Sequence, residues 1–302
     1  MDPARRKLNL QGLLRYAVEQ TNGEEATVHE VDPERAEFLQ NALKSMTIDV
    51  IQEFEKAVAV LENQSSTKSE RLDSLNVIRS YIDDLDLANN FVKFGGTTTI
   101  LRYTKDSEKD LQALSNDIIA EMSQNNPYCQ NHFLNENIIP QLLIKLNDPD
   151  EELSRSSIYA ISSLIRNFEP GLKEFLRVDG IQVLVSCLRS PITKVYIKSA
   201  FLISSLASQN ESIKEDLIKN NAVEVLLENI NYIDGFDSKL ETTLSALLSL
   251  SSNSNWAITK EKQMEVTTVL KQIISKNKEL DNCEDTVKYA ENILEYLNGQ
   301  KA

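Results

Sequence analysis

The chain has 302 residues, with 46 acidic against 32 basic side chains, and its net charge of −14 repels a phosphate backbone, which argues against nucleic acid as a partner. Eight glycines, seven prolines and 6% aromatic residues, beside abundant Leu, Ile, Ala, Ser, Glu and Lys, point to an all-α protein, and 41% hydrophobic content is enough for a core. No run of about 18 apolar residues occurs, so no membrane span is expected.

The first twenty residues are basic at the start, but they lack the apolar stretch of a secretory signal. A cytoplasmic or nuclear protein is therefore expected. "LNLQGLLRYAVE" (8–19) places Leu10, Leu13, Leu14, Ala17 and Val18 at helical spacing, and polar "QTNGEEATVHE" (20–30) follows with a turn signal at Asn22-Gly23. Residues 1–32 thus read as a short sticky peptide on a flexible link. Helical segments at Pro33–Lys44 and Val50–Glu62 form an expected N-terminal cap over 33–65.

The middle of the chain repeats. Asn125, Asn167 and Gln209 stand 42 residues apart, each closing a segment with helical spacing, while Asn137, Gly180 and Ala222 precede apolar runs with nearly the same period. The clearest unit starts with a long helix over about 151–166, with Leu153, Ile158, Ile161, Leu164 and Ile165 on its apolar stripe and Glu152, Ser156, Tyr159, Ser163 and Arg166 opposite. A short helix "GLKEFLRV" follows, which Asp179-Gly180 should end because glycine tolerates left-handed backbone. The third helix, "IQVLVSCLRS", is apolar nearly all round and is expected to be buried. Copies fill 106–148 and 190–232, with looser ones at 66–106 and 236–276, so the repeats span 66–276 and a helical cap, 277–302, closes the end. A three-helix unit of about 42 residues predicts an armadillo-like right-handed superhelical solenoid with helical caps.

Constellations for chemistry are missing. His29 and His132 are the only histidines, too few for a nucleophile–base pair with a choice of partners, and His132 reads as a partly exposed helix residue. Cys129, Cys187 and Cys283 are far apart among apolar neighbours and read as buried thiols in a reducing compartment. Gly95-Gly96 follows a helix rather than a strand and reads as a helix end, not a phosphate loop. Acidic pairs at Asp83-Asp84, Asp148-Asp150 and Glu151-Glu152 fall at helix starts, where carboxylates cap free N–H groups. No enzyme activity, metal or cofactor is expected. The functional surface should be the concave face made by the long helices, whose polar stripes run from Asp110, Asp117 and Glu121, through those of the clearest unit, to Lys194, Lys198 and Ser205. Along it the charge is expected to change from acidic to basic.

Four segments in register carry a family likeness: "LNLQGLLRYAVE" (8–19), "DLDLANNF" (84–91), "YAISSLIRNFEPGLKEFLRVDGIQVL" (159–184) and "IKSAFLISSL" (197–206). Together they resemble the cytosolic armadillo-repeat nucleotide exchange factors that bind 70-kDa heat-shock chaperones. The resemblance implies that the concave face embraces the chaperone's nucleotide-binding domain, that ADP leaves, and that the client is then released. It points to Ala88, Asn89, Asn90 and Lys198 as contacts, with Arg166 and Asn167 on or beside the same surface; the concave-face candidates also include Ser156, Tyr159 and Lys194 from the polar stripes, and Asn126. The N-terminal segment, through Leu10, Leu13 and Leu14, is implied to mimic a client. The alternative is a generic armadillo adaptor for an extended peptide, against which the single Trp256, outside the stripes, counts. An acidic, polar surface predicts a monomer.

Overall fold

The computed structural model describes residues 49–252, 256 and 258–299, so the segment 1–32, with Leu10, Leu13 and Leu14, and the expected helix over 33–44 lie outside the described residues. Sixteen α-helices are present among the described residues. α1 (Val50–Glu62) leads into four three-helix units: α2 (Lys68–Arg79), α3 (Leu85–Phe94) and α4 (Thr97–Tyr103); α5 (Lys109–Ser123), α6 (Pro127–Asn135) and α7 (Ile138–Lys145); α8 (Glu151–Ile165), α9 (Glu169–Arg177) and α10 (Gly180–Ser186); α11 (Thr193–Gln209), α12 (Glu211–Lys219) and α13 (Ala222–Glu228). The chain then forms α14 (Ser238–Ser251), α15 (Lys260–Asn277) and α16 (Glu284–Gly299). The fifth copy expected at 236–276 departs from the plan, because the 18-residue α15 stands where a short and a buried third helix were expected.

The joints explain the period. Asp84, Asn126, Phe168 and Asn210, spaced by 42, are the N-caps of α3, α6, α9 and α12, and the Asp and Asn side chains accept backbone N–H bonds there. At the other end of those helices, Gly95, Asn137, Asp179 and Asn221, again 42 apart, all have positive φ. The left-handed residue is therefore Asp179 and not Gly180, with φ of 58°, a region that short Asn and Asp side chains tolerate. Gly180 is required for a different reason: a Cβ there would lie 2.5 Å from the Phe175 ring.

The long helices α2, α5, α8, α11 and α14 lie side by side in one layer, each against the next. Small polar residues fill the seams. Asn116 of α5 donates from Nδ2 to Ser156 Oγ (3.3 Å) and Ser157 Oγ (3.1 Å) of α8, and Ser154, Ser156 and Ser157 bond carbonyls of their own helix, so buried hydroxyls find partners without widening the seam. The second helix of one unit caps the long helix of the next: Gln130 Nε2 donates to Ser163 O at 2.8 Å, and Lys214 Nζ to Ser252 O at 2.6 Å. One apolar cluster runs without a break from Phe54 in α1 to Leu297 in α16. α10 contributes Ile181, Leu184 and Val185 to it, yet Gln182 and Ser186 reach solvent, so this third helix is not buried all round.

All three cysteines are buried and free, and burial pushes the thiols of Cys129 to about 12 and of Cys187 to about 11, leaving neither as a thiolate nucleophile at neutral pH. Among the described residues, no helix is long and apolar enough to cross a membrane. Since Phe175 is fully buried, Gly180→Ala should cost about 1–3 kcal/mol by overpacking, whereas Ala at the exposed Gln182 should be neutral; urea denaturation of the two variants checks this.

Candidate functional site

The flanked long helices leave only narrow stripes open to solvent. On α8 and its end the stripe is Glu152, Arg155, Tyr159, Ser162 and Arg166, a 3-4-3-4 spacing that follows one helix face. The sequence reading placed Ser156 and Ser163 in it. Both are buried instead, because their side of the helix faces the neighbouring α5 and α6, and Ser156 has no exposed surface. Ala88, 1% exposed, and Asn126, 3% exposed, are likewise inside. Asn126 spends its side chain on the α6 cap, where its Oδ1 accepts from the Cys129 backbone, and on Asn89, to whose Oδ1 it donates at 3.0 Å. Asn89 is half-buried and Asn90 exposed.

Most of the charge on the stripes is already paired. Arg79 of α2 grips Glu121 of α5 with Nε at 2.9 Å from both carboxylate oxygens, and faces Asp117 at 3.7 Å. Arg155 of α8 donates to Asp117 at 2.6 Å and to Glu152 at 2.7 Å. Lys194 of α11 then pairs with Glu151 at 2.9 Å and Glu152 at 3.1 Å, and these bonds hold its ammonium above the usual lysine range. The expected acidic-to-basic gradient is thus a ladder of alternating charges across four long helices, and most of its charges cancel locally.

Two cations beside the Tyr159 and Phe201 rings stand outside the ladder, with no carboxylate in salt-bridge range among the described residues. Lys198 Nζ lies 4.9 Å from the centre of the Tyr159 ring, and the Arg166 guanidinium lies 5.2 Å from that of Phe201. Burial, then the nearby Arg155, pulls the Lys198 ammonium below its ordinary range, and burial, then Glu121 and Asp117, pushes the Tyr159 phenol up. Both cation–aromatic pairs edge a hollow of about 470 Å³ on the long-helix layer, lined also by Gln124, Asn125 and Asn167. Phe201 opens into it with half of its surface exposed. Lys194 does not line the hollow.

Local backbone aims these groups. Gln124 and Arg166 each follow the last residue of a long helix in extended conformation, and Asn125 (φ 50°) and Asn167 (φ 54°) then turn the chain into the next helix. The bend directs Gln124 to Tyr159, whose hydroxyl accepts from its Nε2 at 2.8 Å, and Arg166 to Phe201, each an aromatic residue 35 positions later. Gln209, the third landmark in sequence, is instead the last residue of α11, so the bend occurs in only two of the three places.

The family model described as the SIL1/FES1/HPBP1 C-terminal domain matches residues 87–270, more than half of the chain. The protein belongs to this family. A second model, described as nucleotide exchange factor Fes1, matches residues 10–91. Hsp70-binding protein 1 of Homo sapiens is 28% identical over 237 residues, which are 72% of this chain and 66% of that protein. Hsp70 nucleotide exchange factor FES1 of Candida glabrata is 25% identical over 265 residues, 83% of this chain and 91% of that one. Among solved structures, the designed armadillo repeat protein YIII(Dq)4CqI superposes with a TM-score of 0.63 at 16% identity, covering 80% of this chain and 99% of its own, so this SIL1/FES1/HPBP1 member has the armadillo-type fold.

In this SIL1/FES1/HPBP1 chain the sequence reading missed Gln124, Arg155, Ser162 and Phe201. A signal existed: Phe201 stands 42 residues after Tyr159, and Arg155 and Ser162 follow from Glu152 and Tyr159 by three-residue steps. Elsewhere, His132 is half-buried, with Nε2 2.9 Å from Thr97 Oγ1, Gly95 closes α3, and Trp256 is buried against Tyr296. No cluster able to hold a metal ion occurs among the described residues. Arg155→Met removes the nearest cation from the buried Asp117 and should cost about 2–4 kcal/mol in urea unfolding, whereas Lys194→Met, at a solvent-exposed pair, should leave the midpoint unchanged.

Proposed function

We propose that this protein is a nucleotide exchange factor that binds the nucleotide-binding domain of a 70-kDa heat-shock chaperone with its long-helix face, promotes ADP release and so frees the client. The observation that carries the reading is the hollow with two cations lacking carboxylate partners, Lys198 and Arg166, on a stripe where the other charges are paired, inside the segment matched by the family model. The names of the human and Candida glabrata relatives support it further. Contacts on this reading come from Asn89, Asn90, Arg166, Asn167 and Lys198, with Lys194 at the margin and Tyr159 acting through the Lys198 it supports, whereas Ala88, Asn126 and Ser156 act from within.

Exchange of this kind asks for no covalent chemistry, so the protein is read as a regulator rather than an enzyme, acting as a monomer in the cytoplasm. It needs only to bind the open chaperone more tightly than the closed, ADP-filled one. A hundredfold weakening of ADP corresponds to about 2.7 kcal/mol of coupling, within reach of a single interface. Residues 66–276 are the binding repeats under this reading, 33–65 and 277–302 cap them, and 1–32 competes with clients through Leu10, Leu13 and Leu14. A peptide adaptor is less well supported, since Trp256 is 4% exposed and packs on Tyr296.

Release of a fluorescent ADP from the isolated chaperone domain tests the proposal. Saturating protein should speed release, and Lys198→Ala should raise the half-saturating concentration about tenfold, the size expected for losing one central contact. Unchanged release at saturation would sink it. Deleting residues 1–32 should leave nucleotide release intact and slow client release, as followed with a labelled peptide.

A further inference from the structure

We infer that Lys198 is held ready for its partner by a relay across three repeats, in which Gln124 fixes the Tyr159 hydroxyl and the Tyr159 ring carries the Lys198 side chain. This makes Gln124 and Tyr159 positioning residues. The inference rests on the reading of Lys198 as a chaperone contact. Three observations build it. Gln124, on the bend after α5, donates to the Tyr159 hydroxyl at 2.8 Å. Tyr159, on α8, is half-buried and presents its ring to Lys198 of α11, whose ammonium is 4.9 Å from the ring centre. No carboxylate lies in salt-bridge range of that ammonium among the described residues, and Arg155, which is committed to Asp117 and Glu152, repels it more than Asp117 attracts it.

A lysine on an exposed helix face otherwise samples many rotamers, and binding must remove that freedom. Here the ring restricts the side chain before any partner arrives, and the ring itself can swing only as far as its hydroxyl bond to Gln124 allows. The cation therefore keeps its charge free for a negatively charged or carbonyl group of the partner while its stem is already placed. The ring that orders Lys198 belongs to the preceding unit and its anchor, Gln124, to the unit before that, so the stacking of the units is itself part of the contact.

A double-mutant cycle with the chaperone's nucleotide-binding domain, read by titration calorimetry, tests the relay. Gln124 is exposed, so Gln124→Leu should fold as the parent does, which thermal unfolding checks. Gln124→Leu and Tyr159→Phe, which break the same hydrogen bond from its two ends, should each weaken binding about three- to fivefold, and neither should weaken a Lys198→Ala background further. In the free protein the Lys198 side-chain methylene resonances should be shifted upfield by the Tyr159 ring, and Gln124→Leu should reduce that shift, a signature that loss of general stability does not produce. If Lys198→Ala weakens binding while Gln124→Leu leaves both affinity and the resonance shift unchanged, or if the two substitutions add, the relay is wrong and the contact reading stands. If Lys198→Ala has no effect on affinity, both fall together.

Discussion

A three-helix unit of this length cannot cover its own apolar faces, and the need to stack governs everything else in the molecule. Each long helix of the four regular units has a neighbour on either flank and two shorter helices beneath it, so little more than one row of side chains faces water. The seams are closed by Asn116, Ser154, Ser156 and Ser157, small groups whose amide N–H and hydroxyls find partners within the seam and let the helices approach. The unbroken apolar cluster from α1 to α16 is the result of the same stacking. A face built in this way is rigid, and its chemistry is whatever the single exposed row carries.

That row is largely neutral within itself. Arg79, Glu121, Asp117, Arg155, Glu152, Glu151 and Lys194 alternate in sign from α2 to α11, each charge bound to one from an adjacent helix or turn. A partner could engage these groups only by breaking a pair first, which cancels much of the gain. Lys198 and Arg166 carry no such obligation. Resting on Tyr159 and Phe201, they keep attraction for a partner while remaining well placed, which is why a surface of net negative charge can still offer a cationic hollow.

The left-handed residues do two jobs. Gly95, Asn137, Asp179 and Asn221 end the second helices and set the period, while Asn125 and Asn167 turn the chain out of the long helices and swing the preceding residue over the next repeat. Asn167 is therefore a joint whose consequence is the placement of Arg166. Where the bend is missing, at Gln209, α11 continues to its end and no residue is aimed in this way.

The period, the all-helical class, the order of the helices and the buried cysteines were legible in the chain, because 42-residue spacing, helical periodicity and Asn, Asp and Gly at the joints are local properties. So was the likeness carried by "DLDLANNF" and "YAISSLIRNF", through which the sequence alone determined the family and with it the expected partner. What the sequence left open was which face of each long helix would be flanked. Serine is equally at home in a tight seam and in water, and Ser156 and Ser163 were therefore placed outside while Arg155 and Ser162 were passed over. Likewise Lys194 and Lys198 look alike in sequence, one turn apart on one helix. Only the tertiary structure separates them, by setting Glu151 and Glu152 beside the first and the Tyr159 ring under the second, since charge pairing and ring contact depend on neighbours about 40 residues away.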